Sequence, residues 1–298
     1  MDSDALHTFV TIHRAGGFSP AAERLGRSQP AISRRIALLE GELGMPLFER
    51  VSGGVALSQA GRVLLPYAER VLAALKDTSD ALSALRSGDG GPIAIATVGT
   101  LASTSLTAVL KRFARQFPKV EISLRTAVST EVSELVRSGE ATVGLRYFDD
   151  PSPDLIGVAL RPERLVIACA PKHPLAGKRV RSLRELRDEK WVAFLDAQIR
   201  RDPSAGNVFA QFLTRDVANI QWMPVDSLTA QKRLIEAGFG ISLLPESSIA
   251  EERKTKALAV ISVGDLKAAN PVTAIMRRDG YLSSASRKLL DILKRDYR

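Results

Sequence analysis

The 298-residue sequence is poor in the side chains that carry covalent chemistry. Its single cysteine, Cys169, excludes an internal disulfide and fits a reducing cytoplasm. The thiol lies within apolar VIACA, where a small buried hydrophobe is expected, and no second cysteine can resolve an oxidised one. His7 and His13 sit on a helical stretch without accompanying ligands, so no metal site is expected. There is no P-loop lysine, no HExxH and no nucleophile–His–acid set, and GFGISL lacks the third glycine of a nucleotide-binding loop. Catalytic residues and cofactors are therefore expected to be none. The start, MDSDALHTFV, has neither a basic segment nor a long apolar run, so no signal peptide and no membrane contact is expected.

Net charge is +9, but residues 1–90 hold ten Lys/Arg against ten Asp/Glu. The remainder, with 32 cations against 23 acids, carries the whole excess. Overall basicity thus says little about nucleic acid, and the cation excess of the larger part fits either an anionic ligand or simple solubility.

What the chain does have is concentrated in Phe18–Leu57. Ser19 is positioned as an N-cap with Pro20 in the first turn, and Gly26 can end that helix in the left-handed conformation. Ser28 caps a second helix with Pro30 in its first turn. Ile32, Ile36, Leu39 and Leu43 recur at helical spacing and predict one buried stripe, leaving Gln29, Ser33 and Arg34 outward. Arg forks onto guanine, Gln onto adenine and Ser onto either, so this is the pattern of a helix laid in a major groove. Arg24, Arg27, Arg34 and Arg35, with Arg50 in the two-stranded segment that follows, can meet phosphates. The reading left beside this one is a helical bundle with a solvated face.

Ser19-Pro20-Ala21-Ala22, Ser28-Gln29-Pro30-Ala31-Ile32-Ser33, Leu39-Glu40, Leu43-Gly44, Leu47-Phe48-Glu49-Arg50 and Leu57-Ser58-Gln59-Ala60-Gly61 together resemble the winged helix-turn-helix of LysR-type transcriptional regulators. Ser58 replaces the commoner Thr. The resemblance implies double-stranded promoter DNA as partner, with Ser19, Arg27, Ser28, Gln29, Pro30, Ser33, Arg34 and Arg50 as DNA-binding residues. It also implies RNA polymerase contact in an activator, and a homodimer, usually within a homotetramer.

Taken in order, Asp4–Ala15 predicts a first helix with Leu6, Phe9, Val10 and His13 on one side. Ser58–Arg86 predicts a long helix whose narrow seam, Leu64, Val71, Leu75, Leu82 and Leu85, wants a partner helix. Pro66 should kink or break it. Beyond the linker Ser87–Pro92, strand and helix patterns alternate, which predicts an α/β unit with a mostly parallel sheet. A second unit starts near Cys169, and NPVTAIMRR with a final helix returns to the first. Crossings near Cys169–Ala170 and Gly264–Asn270 make a hinge with a cleft. The expected fold is thus an N-terminal all-α winged helix-turn-helix with a long linker helix, followed by an α/β two-lobed effector domain. The expected bounds are 1–58, 59–87 and 91–298, with lobe I at about 91–168 and 268–298 and lobe II at about 169–267. Gly139-Glu140, Pro171–Leu175 and Gly238–Pro245 resemble the same family's effector domain, which looks like a periplasmic binding protein. Thr142 departs from its usual Asp.

In open α/β sheets ligands sit beyond the carboxyl ends of strands. That rule nominates Thr100, Ser129, Thr130 and Arg146 on the first lobe as a cage for a carboxylate effector, and Gln198 and Asp226-Ser227 on the second. Thr100 and Ser129 read equally well as helix caps. The expected function is a sequence-specific DNA-binding regulator answering to a small, anionic effector. A small-acid enzyme and a ligand-independent DNA-packaging protein stand as alternatives.

Overall fold

The computed structural model describes residues 1–52, 54–87, 91–102, 105–194, 210–215, 217 and 220–296. Three helices open the chain: α1 (Ser3–Ala15), α2 (Phe18–Leu25) and α3 (Gln29–Leu43). A hairpin of β1 (Phe48–Val51) and β2 (Gly54–Leu57) forms the wing, and α4 (Gln59–Ser87) follows. Asp2 caps α1 by accepting from the Ala5 amide at 2.7 Å. Gly26, at φ 61°, closes α2 in the left-handed region that a side chain resists. The cap of α2 is Gly17, so Ser19 lies within the first turn rather than before it.

Leu6, Phe9, Ile12, Ile32, Ile36 and Leu39 share one core, with Phe48 of the wing packed against Phe9 and Phe18 at centroid distances of 5.3 and 5.6 Å. Two expected members are absent from it. His13 is exposed, its inward place taken by Ile12. Leu43 surfaces on the last turn before Gly44, and Leu47, brought round by that turn, fills the core instead. Helix α4 passes Pro66 without a break. Leu64, Leu65 and Ala68 flank the proline and pack on the N-terminal core, which holds the helix together where one backbone hydrogen bond is lost.

The second half contains β3 (Ile93–Val98), α5 (Gly99–Ala102), α6 (Ser105–Gln116), β4 (Ile122–Ala127), α7 (Ser129–Arg137), β5 (Val143–Tyr147) and the 15-residue β6 (Leu155–Cys169). Then come β7 (Arg179–Val180), β8 (Lys190–Phe194), β9 (Gln221–Val225), α8 (Leu228–Glu236) and β10 (Ser242–Pro245). A 3-10 turn (Glu246–Ile249), α9 (Ala250–Lys254), β11 (Ala259–Val263), β12 (Ala269–Arg277) and α10 (Ser284–Asp296) complete it. The eight-stranded sheet runs β4-β3-β5-β12-β6-β11-β7, with β10 also beside β6, and β8 pairs with β9 separately. Among the described strands, the pairs β4–β3, β3–β5, β11–β7 and β8–β9 are parallel. The sheet is mixed rather than mostly parallel because β12, returning from the inserted lobe, runs antiparallel to both β5 and β6.

Strand β6 is the crossing. Leu155–Arg164 pair with β12 in lobe I, whereas Leu165–Cys169 pair with β10 and β11 in lobe II. The change of partner falls between Arg164 and Leu165, five residues before the expected crossing. Separate hydrophobic clusters fill the two lobes, one around Phe113, Val143 and Leu289, others around Trp191 and Ile235. Helix α4 packs on lobe I, where Gly139 at φ 76° approaches Ala73 and Asp77 binds both Arg277 and the Tyr281 amide. Arg14 of α1 joins Glu69 of α4 and Glu140 of lobe I.

Candidate functional site

Helix α3 presents its polar side as the sequence leads one to expect. Arg27, Ser28, Gln29, Pro30 and Arg34 are exposed, Ser33 is half-buried and accepts from Gln29 Nε2 at 3.0 Å, and Ser19 and Arg50 are exposed on α2 and the wing. Ser28 is the N-cap of α3 by backbone conformation, and its side chain makes no capping bond. Helix α1 supplies counter-charges that local sequence spacing does not reveal. Asp4 Oδ2 lies 2.8 Å from Arg27 and 2.6 Å from Arg35, and the hydrogen bond from Arg27, with help from Arg35, lowers its pKa. Asp2, Glu42, Arg34 and Arg35 surround an adjoining cavity of about 290 Å³.

Along α4, Val63, Tyr67, Val71, Leu75, Leu82 and Leu85 form an exposed apolar stripe, from 45% exposed at Val71 to 80% at Leu85. Leu64, expected in that seam, turns into the N-terminal core instead.

The candidate residues of lobe I separate into two groups. Arg146, only 3% exposed, is bonded to Asp150 and donates to Ser133 Oγ of α7 at 2.9 Å. Burial resists the charge on Asp150, but hydrogen bonds from Ser133 and Ser152, together with the Arg146 guanidinium, outweigh it and hold the pKa down at about 2. Arg137 adds its pairing with Asp154 at 2.8 Å and reaches Asp150 at 4.0 Å. Ser129 is fully buried on the first turn of α7, where its carbonyl accepts from Ser133, while Thr130 is exposed. The cap of α7 is the Val128 backbone, so Ser129 is not the cap.

Neighbouring strand residues face opposite sides of a sheet, and Tyr147 accordingly points away from Arg146. Its hydroxyl donates to Glu163 Oε2 at 2.7 Å and receives Thr100 Oγ1 at 2.7 Å. Ser247, on the 3-10 turn of lobe II, donates to Glu163 Oε1. Thr100, Tyr147, Glu163 and Ser247 thus form one chain from lobe I, through the crossing strand, to lobe II. Burial raises the pKa of Glu163, opposed by the Ser247 and Tyr147 hydrogen bonds. The sequence signal for this group is a lone Glu within a strand that is otherwise apolar toward its end, RPERLVIAC, with Tyr147 next to the nominated Arg146.

On lobe II, Ser227 caps α8 by accepting from Ala230 N at 3.5 Å, and Asp226 is exposed beside it. Gln198 lies outside the described residues. Cys169 is buried, and burial, with a smaller push from Glu189, raises its thiol to about 11. His173 faces Glu189 at 3.3 Å and accepts from the Leu175 amide, a turn-holding arrangement. Among the described residues no group of His, Cys, Asp and Glu could hold a metal ion, and no helix is long and apolar enough to cross a membrane.

Two family models match this chain. Residues 3–62 fit the bacterial regulatory helix-turn-helix protein, lysR family, and residues 86–298 fit the LysR substrate binding domain. A hydrogen peroxide-inducible genes activator of Dickeya chrysanthemi is 30% identical, covering 83% of this chain and 80% of its own length. The transcriptional regulator CfxR of Cupriavidus necator is 28% identical over 87% of this chain and 80% of its own. The solved LysR-family regulator CbnR superposes with a TM-score of 0.69 at 26% identity, each chain covered in full. CbnR solved with its target DNA gives 0.67 at 27% identity, with 99% of each chain covered. With the helix-turn-helix, the linker helix and the two-lobed sheet all in place, the chain belongs to the LysR family of transcriptional regulators.

Proposed function

We propose that this regulator binds promoter DNA sequence-specifically through α3 and adjusts that binding to a small effector held between its lobes. The observation that carries the reading is the polar face of α3, where Gln29, Ser33 and Arg34 stand outward while Ile32, Ile36 and Leu39 are buried. Ser19, Arg27 and Arg50 flank it as phosphate contacts, with Ser28 and Pro30 setting the helix start. In units, residues 1–58 read DNA, 59–87 pair with a second copy, and 91–298 hold the effector. The assembly is a homodimer or homotetramer in the cytoplasm, it meets RNA polymerase where it activates, and no catalysis is assigned to it. Thr100, Ser129, Thr130, Arg146, Asp226 and Ser227 stand as effector-site candidates, with Gln198, outside the described residues, as a further one. Because Asp150 already meets the charge of Arg146, that residue no longer argues for an anionic effector.

Sequencing the genomic fragments retained by the protein at physiological salt tests the reading. Enrichment of a few intergenic sites with a partly palindromic motif supports it, and uniform recovery without a motif removes sequence readout.

Three expected results follow from the geometry. Asp4→Asn releases Arg27 and Arg35 to phosphates, so affinity for DNA rises and the log–log salt slope steepens by roughly one to two; titrations at several salt concentrations measure it. Leu75→Asp places a charge in the exposed stripe of α4, where Leu75 is 52% exposed, and sedimentation velocity should report a shift toward monomer. Hydrogen peroxide should leave operator binding unchanged in gel-shift assays, because a buried thiol with its pKa near 11 supplies almost no thiolate.

A further inference from the structure

We infer that the effector between the lobes presents a cationic, hydrogen-bond-donating nitrogen (an amine, amidine or guanidine) to Glu163, rather than a carboxylate to Arg146. The inference rests on the reading that an effector binds in the cleft, and it assigns the chemical class.

Glu163 is 8% exposed and lies on β6 beside the residue pair where the strand passes from one lobe to the other. Its two oxygens receive hydroxyls from opposite sides, Tyr147 at 2.7 Å from lobe I and Ser247 from lobe II. An ionised carboxylate offers about four acceptor sites, so these two bonds leave it under-used. Among the described residues no Lys, Arg or His pairs with it. Its neighbour Arg164 turns to Glu246 at 3.9 Å and is largely exposed. A buried carboxylate without a cation is costly, and the direction of its pKa agrees with that cost. An ammonium or guanidinium entering beside Thr100 and Ser247 supplies the missing charge and donors together.

The cations nearby are already spent. Arg146 is held by Asp150 and Ser133, and Arg137 by Asp154, so two guanidiniums face two carboxylates. Arg146 Nε is buried without a partner among the described residues. It lies on the face of the sheet opposite Tyr147 and Glu163 and does not reach a ligand held there. Among the described residues, Glu163 is thus met by two hydroxyl donors and by no cation. Because both lobes reach Glu163, a cation bound there would favour whichever arrangement of the lobes it binds better.

Amide hydrogen exchange on the full-length protein tests this, with agmatine, benzamidine and phenethylamine as cationic probes and benzoate and succinate as anionic ones. The expected result is slowed exchange in residues 99–102, 155–169 and 246–249 with the cationic probes only. Glu163→Gln should weaken that binding at least about 30-fold. Tyr147→Phe, which frees a lone pair of Glu163 without removing its charge, should retain or strengthen it. Protection of the same segments by benzoate or succinate overturns the inference and leaves the cleft reading standing. Protection by a cation that maps outside the lobes overturns the cleft reading itself. Absence of protection by every cationic probe overturns the inference, and so does cationic binding that Glu163→Gln leaves intact. If Glu163→Gln fails to fold, the comparison of cations with anions on the unaltered protein still decides.

Discussion

Arg146→Ala lowers the stability of the effector-binding half by about 3 kcal/mol or more, with little effect on the melting of the DNA-binding unit. The side chains of Arg146 and Asp150 are 4% and 10% exposed, so removing the guanidinium strands a carboxylate that water barely reaches. Differential scanning calorimetry reads the loss as a lowered transition of the larger half. The double variant Arg146→Ala/Asp150→Ala should regain much of it, since a cavity without a stranded charge costs less than the charge. A double variant no better than the single one would place the cost in lost packing instead.

The same pair gives a signed pH dependence. The folded-state pKa of Asp150, about 2, lies below its ordinary 3.8. The unfolded chain therefore binds the proton more readily, and the stabilisation is present in full above the ordinary value. It is lost as pH falls from that value toward 2. The gap between the unaltered protein and Arg146→Ala should narrow as acid protonates Asp150, because a neutral carboxyl no longer needs the guanidinium. A gap that widened on acidification would contradict the assignment of Asp150 as the charged partner.

Local rules reached most of the N-terminal half, because its helices are set by caps and spacing within a few residues. Gly26, Ser28 and the Ile32–Ile36–Leu39 stripe were all readable in this way. The misses there were long-range. Nothing in the spacing of Leu43 shows that Leu47 displaces it, and Asp4 meets Arg27 only after α1 has folded across α3. In the second half the alternation of strands and helices identified the architecture, and the mixed sheet was hidden because direction depends on where an inserted lobe returns. The cleft was the least legible part. Strand-end logic nominated Thr100 and Arg146 together, but pleat alternation sends Arg146 and Tyr147 to opposite faces. The carboxylate that joins the lobes, Glu163, comes from mid-strand, where the strand-end rule does not look.

Gly61→Ala should abolish tight DNA binding while the effector-binding half melts as before. Gly61 is buried in the first turn of α4, and a β-carbon there would stand 2.2 Å from the Leu47 carbonyl oxygen and 3.0 Å from Leu57 Cδ2. The first neighbour is backbone and cannot swing aside. It is also in use, since the Leu47 carbonyl accepts from the Ser58 amide at 2.9 Å, while Ser58 Oγ donates to the Pro46 carbonyl and accepts from the Gly61 amide. These bonds tie the start of the linker helix to the turn that leads into the wing. A methyl group must push them apart, at a cost of about 1–3 kcal/mol or more, and it shifts the wing relative to α3. Arg50 then loses the register with Gln29 and Arg34 that the proposed DNA contact requires. Gln59→Ala, an exposed change two residues away, serves as the control and should bind DNA as the unaltered protein does. Fluorescence anisotropy with an operator fragment compares the two. Equal affinities would mean that the Leu47–Gly61 contact relaxes without cost, and that the wing takes its position from the Phe9–Phe48–Phe18 cluster alone.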